Sequence, residues 1–230
     1  MLLFAGDPHG AFEPINRAAD EMRPDGVVLL GDFDLDVPLD QALNAPARQV
    51  AWWIHGNHDC DRDFWHDRLF QSELADRSLH GRVVELGGYR VAGLGGVFRE
   101  KVWHPDTGVR FASRRQFLYS MGRGNKWRGG LPLKQRASLW WEDYERLWGK
   151  RADILVTHEA PSCHRHGFKV LDELAEAMGA RMIVHGHHHE DYQSELASGI
   201  RVIGVGLAGV TSDAGQVIVP GRVSTRRRPA

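Results

Sequence analysis

The stretch Trp52-Trp53-Ile54-His55-Gly56-Asn57-His58-Asp59 joins a short apolar run to a glycine and three polar side chains. The run Val50–Ile54 is typical of a strand buried on both faces. The side chains after Gly56 can bind metals or move protons, and they stand where the strand should end. In open α/β sheets, ligands bind at the carboxyl ends of the strands. The stretch therefore predicts an α/β fold with its functional site at that edge.

Four more short motifs occupy the same position relative to an apolar run. They are Asp7-Pro8-His9 after Met1–Ala5, Gly31-Asp32 after Val27–Leu30, Thr157-His158 at the end of Ile154–Thr157, and Gly186-His187-His188-His189 after Met182–Val184. Each motif alone is weak, since Gly-Asp is a common turn and a His-rich tract can bind metal adventitiously. Together, however, they predict that residues far apart in sequence converge on one crevice.

Segments with helical spacing lie between several of these strands. They are Pro14–Met22, Asp61–Leu69, Leu133–Trp148 and Phe168–Met178. This alternation predicts βαβ units and a largely parallel sheet. Later strands are expected at Arg82–Leu86, Tyr89–Leu94, Ile200–Val205 and Gln216–Val219, and Gly87-Gly88 should form a hairpin turn. The mixture fits a two-sheet α/β sandwich, with a single domain over residues 1–223 and a frayed basic tail at 224–230.

Composition narrows the class of protein. The chain has 230 residues, a net charge of −1, two cysteines and 13 histidines. No apolar run approaches the roughly 20 residues of a membrane span. The N-terminus does not have the pattern of a signal peptide, and two cysteines cannot build a disulfide scaffold. We therefore expect a cytoplasmic protein that does not bind membranes; its oligomeric state stays open.

The five motifs supply two carboxylates, an amide and several imidazoles. This donor set suits Zn, Fe, Mn, Ni or Co better than an all-oxygen calcium site, and the lack of cysteine argues against a thiolate zinc site. In order and spacing, the motifs resemble those of the calcineurin-like metallophosphoesterase superfamily. The resemblance extends from residue 7 to residue 189. It implies an α/β/β/α sandwich and a dinuclear metal centre that hydrolyses phosphoesters.

The resemblance also implies a role for each motif residue. One metal ion would be held by Asp7, His9, Asp32 and His189, and the second by Asp32, Asn57, His158 and His187. Asp32 would bridge two divalent ions about 3.5–4 Å apart, together with the hydroxide that attacks phosphorus. His58 would act on the leaving oxygen as an acid or hydrogen-bond donor, oriented by Asp59.

One part of the pattern differs from many members of that superfamily. Many relatives have Gly-Asp-x-x-Asp after the second strand, whereas this chain has Gly31-Asp32-Phe33-Asp34-Leu35-Asp36 with Leu35 at the acidic position. The Arg-Gly pair of the Ser/Thr protein phosphatases is also missing. Asp32 itself is unaffected. The departure disfavours the protein-phosphatase and bis-nucleoside-tetraphosphatase subgroups.

The stretch 99–136 interrupts the alternation of strands and helices. It holds ten basic residues and only two acidic ones, so it is strongly basic while the rest of the chain is acidic. We interpret it as an insertion or cap. Its aromatic residues Trp103, Phe111, Phe117, Tyr119 and Trp127 could stack on bases, or could instead anchor the segment to the body of the protein.

The substrate is the least determined part of the prediction. Candidate substrate contacts are Arg99, Arg128, Lys134, Arg136 and His164. The expected substrate is a phosphorylated small molecule or nucleotide. The alternatives are a nuclease or RNA-processing phosphodiesterase that holds single-stranded nucleic acid through the basic segment, and a non-catalytic binding scaffold. The intact set of motif residues disfavours the scaffold.

Overall fold

Two β-sheets form the centre of the computed structural model, which describes residues 1–222. The first sheet has the strand order β13-β12-β1-β2-β3 and the second β10-β11-β9-β8-β5-β4. The strands of the first sheet are β1 (Leu2–Ala5), β2 (Gly26–Leu29), β3 (Ala51–Trp53), β12 (Val210–Ser212) and β13 (Val217–Val219). Those of the second are β4 (Arg82–Leu86), β5 (Tyr89–Leu94), β8 (Ile154–Thr157), β9 (Met182–His185), β10 (Tyr192–Glu195) and β11 (Arg201–Gly204).

Helices cover the outer faces of both sheets. The α-helices are α1 (Glu13–Met22), α2 (Leu39–Ala42), α3 (Ala45–Val50), α4 (Asp63–Phe70), α5 (Arg114–Ser120), α6 (Trp141–Leu147) and α7 (Lys169–Met178). Single 3₁₀ turns are formed by His58–Cys60, Ala75–Arg77, Arg123–Asn125 and Leu133–Ala137. A two-stranded sheet of β6 (Trp103–His104) and β7 (Gly108–Val109) lies within the 99–136 segment. No helix among the described residues is long and apolar enough to cross a membrane.

The core has three layers, because successive side chains of a strand point to opposite faces. Leu2 and Phe4 of β1 pack in the cluster between the two sheets, together with residues of β8 and β9. Leu3 and Ala5 of the same strand pack outward with α1 and α3. A third cluster covers the outer face of the second sheet and includes α6 and α7. This is the predicted two-sheet α/β/β/α sandwich, and the prediction is confirmed.

The 99–136 segment packs on the third cluster through its aromatic residues. Trp103 and Phe117 are buried there, and Phe111 packs against the same cluster. Tyr119 is exposed and Trp127 is half-buried. Most of these rings therefore anchor the segment to the protein instead of facing solvent. The tail predicted at 224–230 lies outside the residues that the structure describes.

The helix predicted over 133–148 is wrong in its extent. The structure has a 3₁₀ turn at Leu133–Ala137, an extended link, and then α6. The link pairs with the chain beside β5: Val97 N donates to Ala137 O, and Leu139 N donates to Val97 O. These backbone bonds compete with helix formation and bury Leu139 and Trp140. The other predicted elements quoted above agree with the structure within two residues at each end.

Candidate metal centre

The carboxyl ends of the parallel strands bring the five sequence motifs to one edge. Strand β2 pairs in parallel with β1 and β3, and β8 pairs in parallel with β5 and β9. Asp7 follows β1, Asp32 follows β2 and Asn57 follows β3. In the second sheet, His158 follows β8 and His187 follows β9. The two sheets face one another, so all of these loops meet. The predicted convergence of the motifs therefore occurs in the folded chain.

His158 lies at the middle of the cluster and is completely buried. Its Nδ1 donates to the carbonyl oxygen of Leu30 at 2.7 Å. Its Nε2 lies 3.2 Å from Asn57 Oδ1 and 3.4 Å from Asp32 Oδ2. A hydrogen bond from one ring nitrogen to a carbonyl oxygen fixes the tautomer and leaves the other nitrogen free to bind a metal. Asp32, His158 and His187 place ligand atoms close enough together to hold one ion.

His9 and Asp7 form the other half of the cluster. His9 Nδ1 donates to Asp34 Oδ2 at 2.8 Å, while its Nε2 is buried with no hydrogen-bond partner. The His9 ring lies 5.3 Å from the His189 ring. Asp7 accepts the amide of His187 at Oδ2, and its buried Oδ1 has no hydrogen-bond partner. Buried polar atoms of this kind are normally satisfied, so these two atoms fit the role of metal ligands.

The backbone at the site is strained. Positive φ angles occur at Asp7, His9, Asp32, His187 and His189, and also at Asp34. Non-glycine residues adopt this left-handed region rarely, and such conformations concentrate at functional sites. The strained backbone therefore coincides with the residues expected to bind metal.

Gly56 allows the closest approach within the centre. A Cβ atom there would lie 2.2 Å from Asp32 Oδ1 and 2.5 Å from His158 Cε1. No side chain fits at those distances. The glycine is therefore required for the Asn57 turn to approach Asp32 and His158.

Asp59 and His58 are not partners, which corrects the sequence-based role of Asp59. The Asp59 carboxylate is buried and accepts the amides of Asp32, Phe33 and Gly56. These three bonds tie the turn that carries Asn57 to the loop that carries Asp32. His58 Nδ1 instead donates to Asp61 Oδ2 at 2.9 Å. The residues sit three apart in a tight turn, and the 3₁₀ geometry at His58–Cys60 brings His58 and Asp61 to one side.

Burial and mutual repulsion shape the charges of the centre. Burial raises the pKa of Asp7 to about 7, and nearby Asp32 adds to the rise. Burial opposes protonation of His158, but Asp32 outweighs it and raises the pKa of His158 to about 10. Burial and the neighbouring His158 lower the pKa of His187 to about 3. Asp32 thus attracts positive charge to the position of His158, while His187 stays unprotonated, as a metal ligand must be.

Glu159 is a functional candidate that the sequence reasoning missed. Its carboxyl is buried, its Oε1 accepts the amide of Phe98 at 3.1 Å, and its Oε2 lies 3.9 Å from His187 Nε2. Burial raises the pKa of Glu159 to about 7. Glu159, His187 and His188 form a second group whose ligand atoms could hold an ion. The sequence reasoning also missed Asp34 as the partner of His9 and Asp61 as the partner of His58, although each lies two or three residues from a motif residue.

The candidate substrate residues differ in their surroundings. Arg128 makes a two-pronged ion pair with Asp67 at 2.7 and 2.9 Å, and its role in substrate binding stays a prediction. Lys134 Nζ lies 3.8 Å from Asp61. His164 stacks on His188 at 4.0 Å and faces Glu190. Arg99 follows the Phe98 amide that Glu159 anchors, and Arg136 belongs to the turn packed on His58–Cys60.

The residues present fit two divalent ions. Seven oxygen and nitrogen donors converge: two carboxylates, one amide and four imidazoles, at Asp7, His9, Asp32, Asn57, His158, His187 and His189. The unpartnered atoms of Asp7 and His9 mark one half, and the Asp32, His158 and His187 group marks the other. The mixture of oxygen and imidazole donors is that of a transition-metal site.

Comparison with known proteins agrees with this geometry. A family model described as calcineurin-like phosphoesterase matches residues 1–191. An uncharacterised protein of Haemophilus influenzae is 36% identical over 219 residues, covering 95% of this chain and 96% of that protein. The crystal structure of a 5′-nucleotidase from Candida albicans superposes with a TM-score of 0.50 at 14% identity, over 92% of this chain and 47% of that one. Such a low identity shows likeness of fold alone.

The family model covers all five sequence motifs, and the folded chain brings those motifs into one donor cluster. The family's activity is metal-dependent hydrolysis of phosphoric esters at a dinuclear centre. On these grounds the chain belongs to the calcineurin-like phosphoesterase family.

Proposed function

We propose that this chain is a phosphatase or phosphodiesterase for small phosphorylated molecules, with its active site at the Asp32–His158 cluster. The observation that carries the proposal is the position of Asp32. Its Oδ1 is held by the His58 amide at 2.8 Å while its Oδ2 faces His158, and its backbone N–H is anchored by Asp59. A buried carboxylate fixed in this way lies between both halves of the donor set and can serve both ions.

The two proposed ion sites follow the halves of the cluster. Asp7, His9, Asp32 and His189 would hold one ion, and Asp32, Asn57, His158 and His187 the other. When bound, two divalent ions neutralise phosphoryl oxygens and lower the pKa of water for in-line attack. The chain's own contribution is rigid positioning: Leu30 O orients His158, and Asp34 orients His9.

His58 is the proposed proton donor to the leaving group. Its ring is 38% exposed, so it can reach a bound ester, and it lies 5.4 Å from the His9 ring. Asp61 accepts from Nδ1, which leaves Nε2 to face the substrate. As the P–O bond breaks, the leaving oxygen takes a proton from His58. A water molecule supplies the hydroxyl that becomes bonded to phosphorus, and its remaining proton passes to solvent, from which His58 is reprotonated.

Small substrates are favoured over nucleic acid because two of the five aromatic side chains of the 99–136 segment are buried and two of its arginines are paired. Trp103 and Phe117 of the 99–136 segment are buried, so they cannot stack on a single strand. Arg114 and Arg128 are neutralised by carboxylates of the same chain. We also propose a cytoplasmic location, which the two free thiols of Cys60 and Cys163 support.

The test is a phosphoester panel with defined metals. The protein is stripped with a chelator, reloaded separately with Mn, Fe, Co, Ni and Zn, and assayed on p-nitrophenyl phosphate, its bis ester, cyclic nucleotides, nucleoside monophosphates and oligonucleotides. We expect turnover of small esters with at least one metal. A protein that binds two ions but hydrolyses none of these compounds would overturn the proposal, and cleavage of oligonucleotides alone would favour the nuclease.

A further inference from the structure

Two arginines at the ends of the 99–136 segment, Arg99 and Arg136, are half-buried and make no ion pair within the described residues 1–222. The Nε atom of each guanidinium is buried without a hydrogen-bond partner. Arg114 and Arg128 of the same segment differ, because each pairs with a carboxylate. Buried polar atoms are normally hydrogen-bonded, and a guanidinium carries only N–H donors. Arg99 and Arg136 are therefore suited to bind an acceptor that the chain itself does not supply.

Arg136 is held in place beside the proposed proton donor. Its Cζ lies 4.9 Å from the centroid of the Trp127 ring. Stacking on an aromatic ring restrains the guanidinium plane and leaves its edge free to donate hydrogen bonds. The turn that contains Arg136 packs against the His58–Cys60 turn. A group that contacts Arg136 would therefore lie on the leaving-group side of the metal centre.

Arg99 lies near the same turn. Burial and the charge of Asp59 raise the pKa of the Cys60 thiol, and the charges of Arg136 and Arg99 oppose this rise. Coulomb interactions weaken with distance, so both guanidiniums lie near Cys60, the last residue of that turn. Arg99 also directly follows the residue whose amide is anchored by Glu159. The backbone at Arg99 is thus fixed to the loop after β8.

The reacting phosphate does not need these two arginines for charge balance. Its oxygens would be neutralised by the two proposed divalent ions. A second phosphate or a carboxylate on the leaving group would supply the acceptors that Arg99 and Arg136 lack. The planar fork of arginine matches both of these anions, because it can donate two parallel N–H···O hydrogen bonds to either.

We propose that Arg99 and Arg136 form a second anion subsite, which binds a phosphate or carboxylate carried by the leaving group of the substrate. The inference rests on the proposed function and deepens it. It names the substrate class as phosphoesters with a second anionic group. The N–H groups of the two arginines donate to that anion, while the metal-centre residues act on the ester that is cleaved.

The test compares ligands that differ only in a second anion. Alkylphosphonates with chains of three to eight carbons are compared with the α,ω-bisphosphonates and the ω-phosphonocarboxylates of the same lengths. The P–C bond of these compounds is not hydrolysed, so calorimetric titration of the metal-loaded protein measures binding alone. At least one dianionic ligand should bind about tenfold or more tightly than the alkylphosphonate of its length, the effect of hydrogen bonds to a charged group. The two series show whether the subsite prefers phosphate or carboxylate.

Single variants test which residues produce this preference. Arg136→Met and Arg99→Met each remove a guanidinium and keep a side chain of similar shape. Each should lower the preference for the second anion about tenfold. Arg110→Met is the matched control, because it removes the same charge from an exposed position of the 99–136 segment. It should keep the preference.

The outcomes separate this inference from the proposed function. If small esters are hydrolysed but the second anion does not strengthen binding at any chain length, the inference is wrong and the proposed function stands. If no ester is hydrolysed with any metal, the proposed function is wrong, and the titrations still support or overturn the anion subsite. A preference that persists in both Arg99→Met and Arg136→Met, each shown to be folded by its melting temperature, overturns the inference. An equal loss in Arg110→Met also overturns it, because net charge alone would then explain the effect.

Discussion

His58 Nδ1 donates a hydrogen bond to Asp61 Oδ2 across 2.9 Å, within a single turn of chain. This hydrogen bond orients the imidazole ring and leaves the opposite ring nitrogen free. Asp59, the residue next to His58, is instead buried in a purely structural set of three amide bonds. We therefore expect Asp61 to affect the rate of the reaction and Asp59 to affect the stability of the fold.

Asp61→Asn should lower kcat about tenfold, because general acid catalysis contributes about 10²–10⁴-fold and the variant keeps the imidazole but loses its charged partner. KM, metal content and melting temperature should stay near their original values. Steady-state kinetics is the measurement. A variant with unchanged kcat would show that Asp61 does not position His58.

Asp59→Asn is the matched comparison. Its carboxylate accepts three backbone amides, and an amide in its place would point N–H toward N–H. We expect a loss of about 1.5–3 kcal/mol in the free energy of unfolding, the range for a hydrogen bond to a charged group. Urea denaturation measures it. Unchanged stability would contradict the structural role.

Asp34→Ala should weaken the binding of one of the two proposed ions. Asp34 holds His9 through Nδ1, and removal of such a partner typically costs 10–100-fold in metal affinity, so we expect about that loss. Metal titration against a chromophoric chelator resolves the two sites. Asp36→Ala is the control, because Asp36 is exposed in the same loop. Equal affinities in the two variants would refute a role for Asp34.

Asp32→Asn and His58→Ala should separate the ligand from the proton donor. Asp32 contacts both halves of the cluster, since its carboxylate faces His158 and its backbone carbonyl accepts the His9 amide. Its substitution should therefore abolish turnover and weaken the binding of both ions. His58→Ala should slow turnover about 10²-fold while about two ions per chain remain bound. Elemental analysis beside kinetics is the measurement. If His58→Ala empties a site, His58 is a ligand and its assigned role is wrong.

Arg114→Met should destabilise the fold in a pH-dependent way. Burial opposes ionisation of Asp143, but His80 and Arg114 outweigh it and hold the pKa of Asp143 well below its ordinary 3.8. Arg114 of α5 also pairs with Glu142, which precedes Asp143 on α6. Removal of one partner of a buried ion pair should cost about 3 kcal/mol at pH 7, at the lower end of the usual range because Arg114 is partly exposed.

The sign of the pH effect follows from the lowered pKa of Asp143. Its ionised form contributes stability above about pH 4, and that contribution is lost as the pH falls toward the lower folded value. The difference in unfolding free energy between the two proteins should therefore narrow below about pH 4. Urea denaturation at pH 7, 5 and 3.5 measures this, with Arg115→Met as the exposed control on the same helix. A constant difference across this range would contradict the Asp143 linkage.

The sequence by itself determined the sheet edge and the donor set. Apolar runs of four or five residues specify buried strands, and the polar residue after each run is placed at the carboxyl end by chain connectivity alone. That is why Asp7, Asp32, Asn57, His158 and His187 could be assigned to one crevice before any coordinates. The helix predicted at 133–148 failed because Val97, distant in sequence, pairs with the link at Ser138.

Only the tertiary structure decided which carboxylate accepts a hydrogen bond from which imidazole. The pairing of His9 with Asp34 depends on positive φ angles at both residues, and that of His58 with Asp61 depends on a 3₁₀ turn. Periodicity does not encode such local geometry. The folded chain also revealed that Arg114 and Arg128 of the 99–136 segment pair with carboxylates and that its Trp103 and Phe117 rings are buried. The two ion pairs join residues 29 and 61 positions apart in sequence, a separation over which a linear pattern carries no contact information.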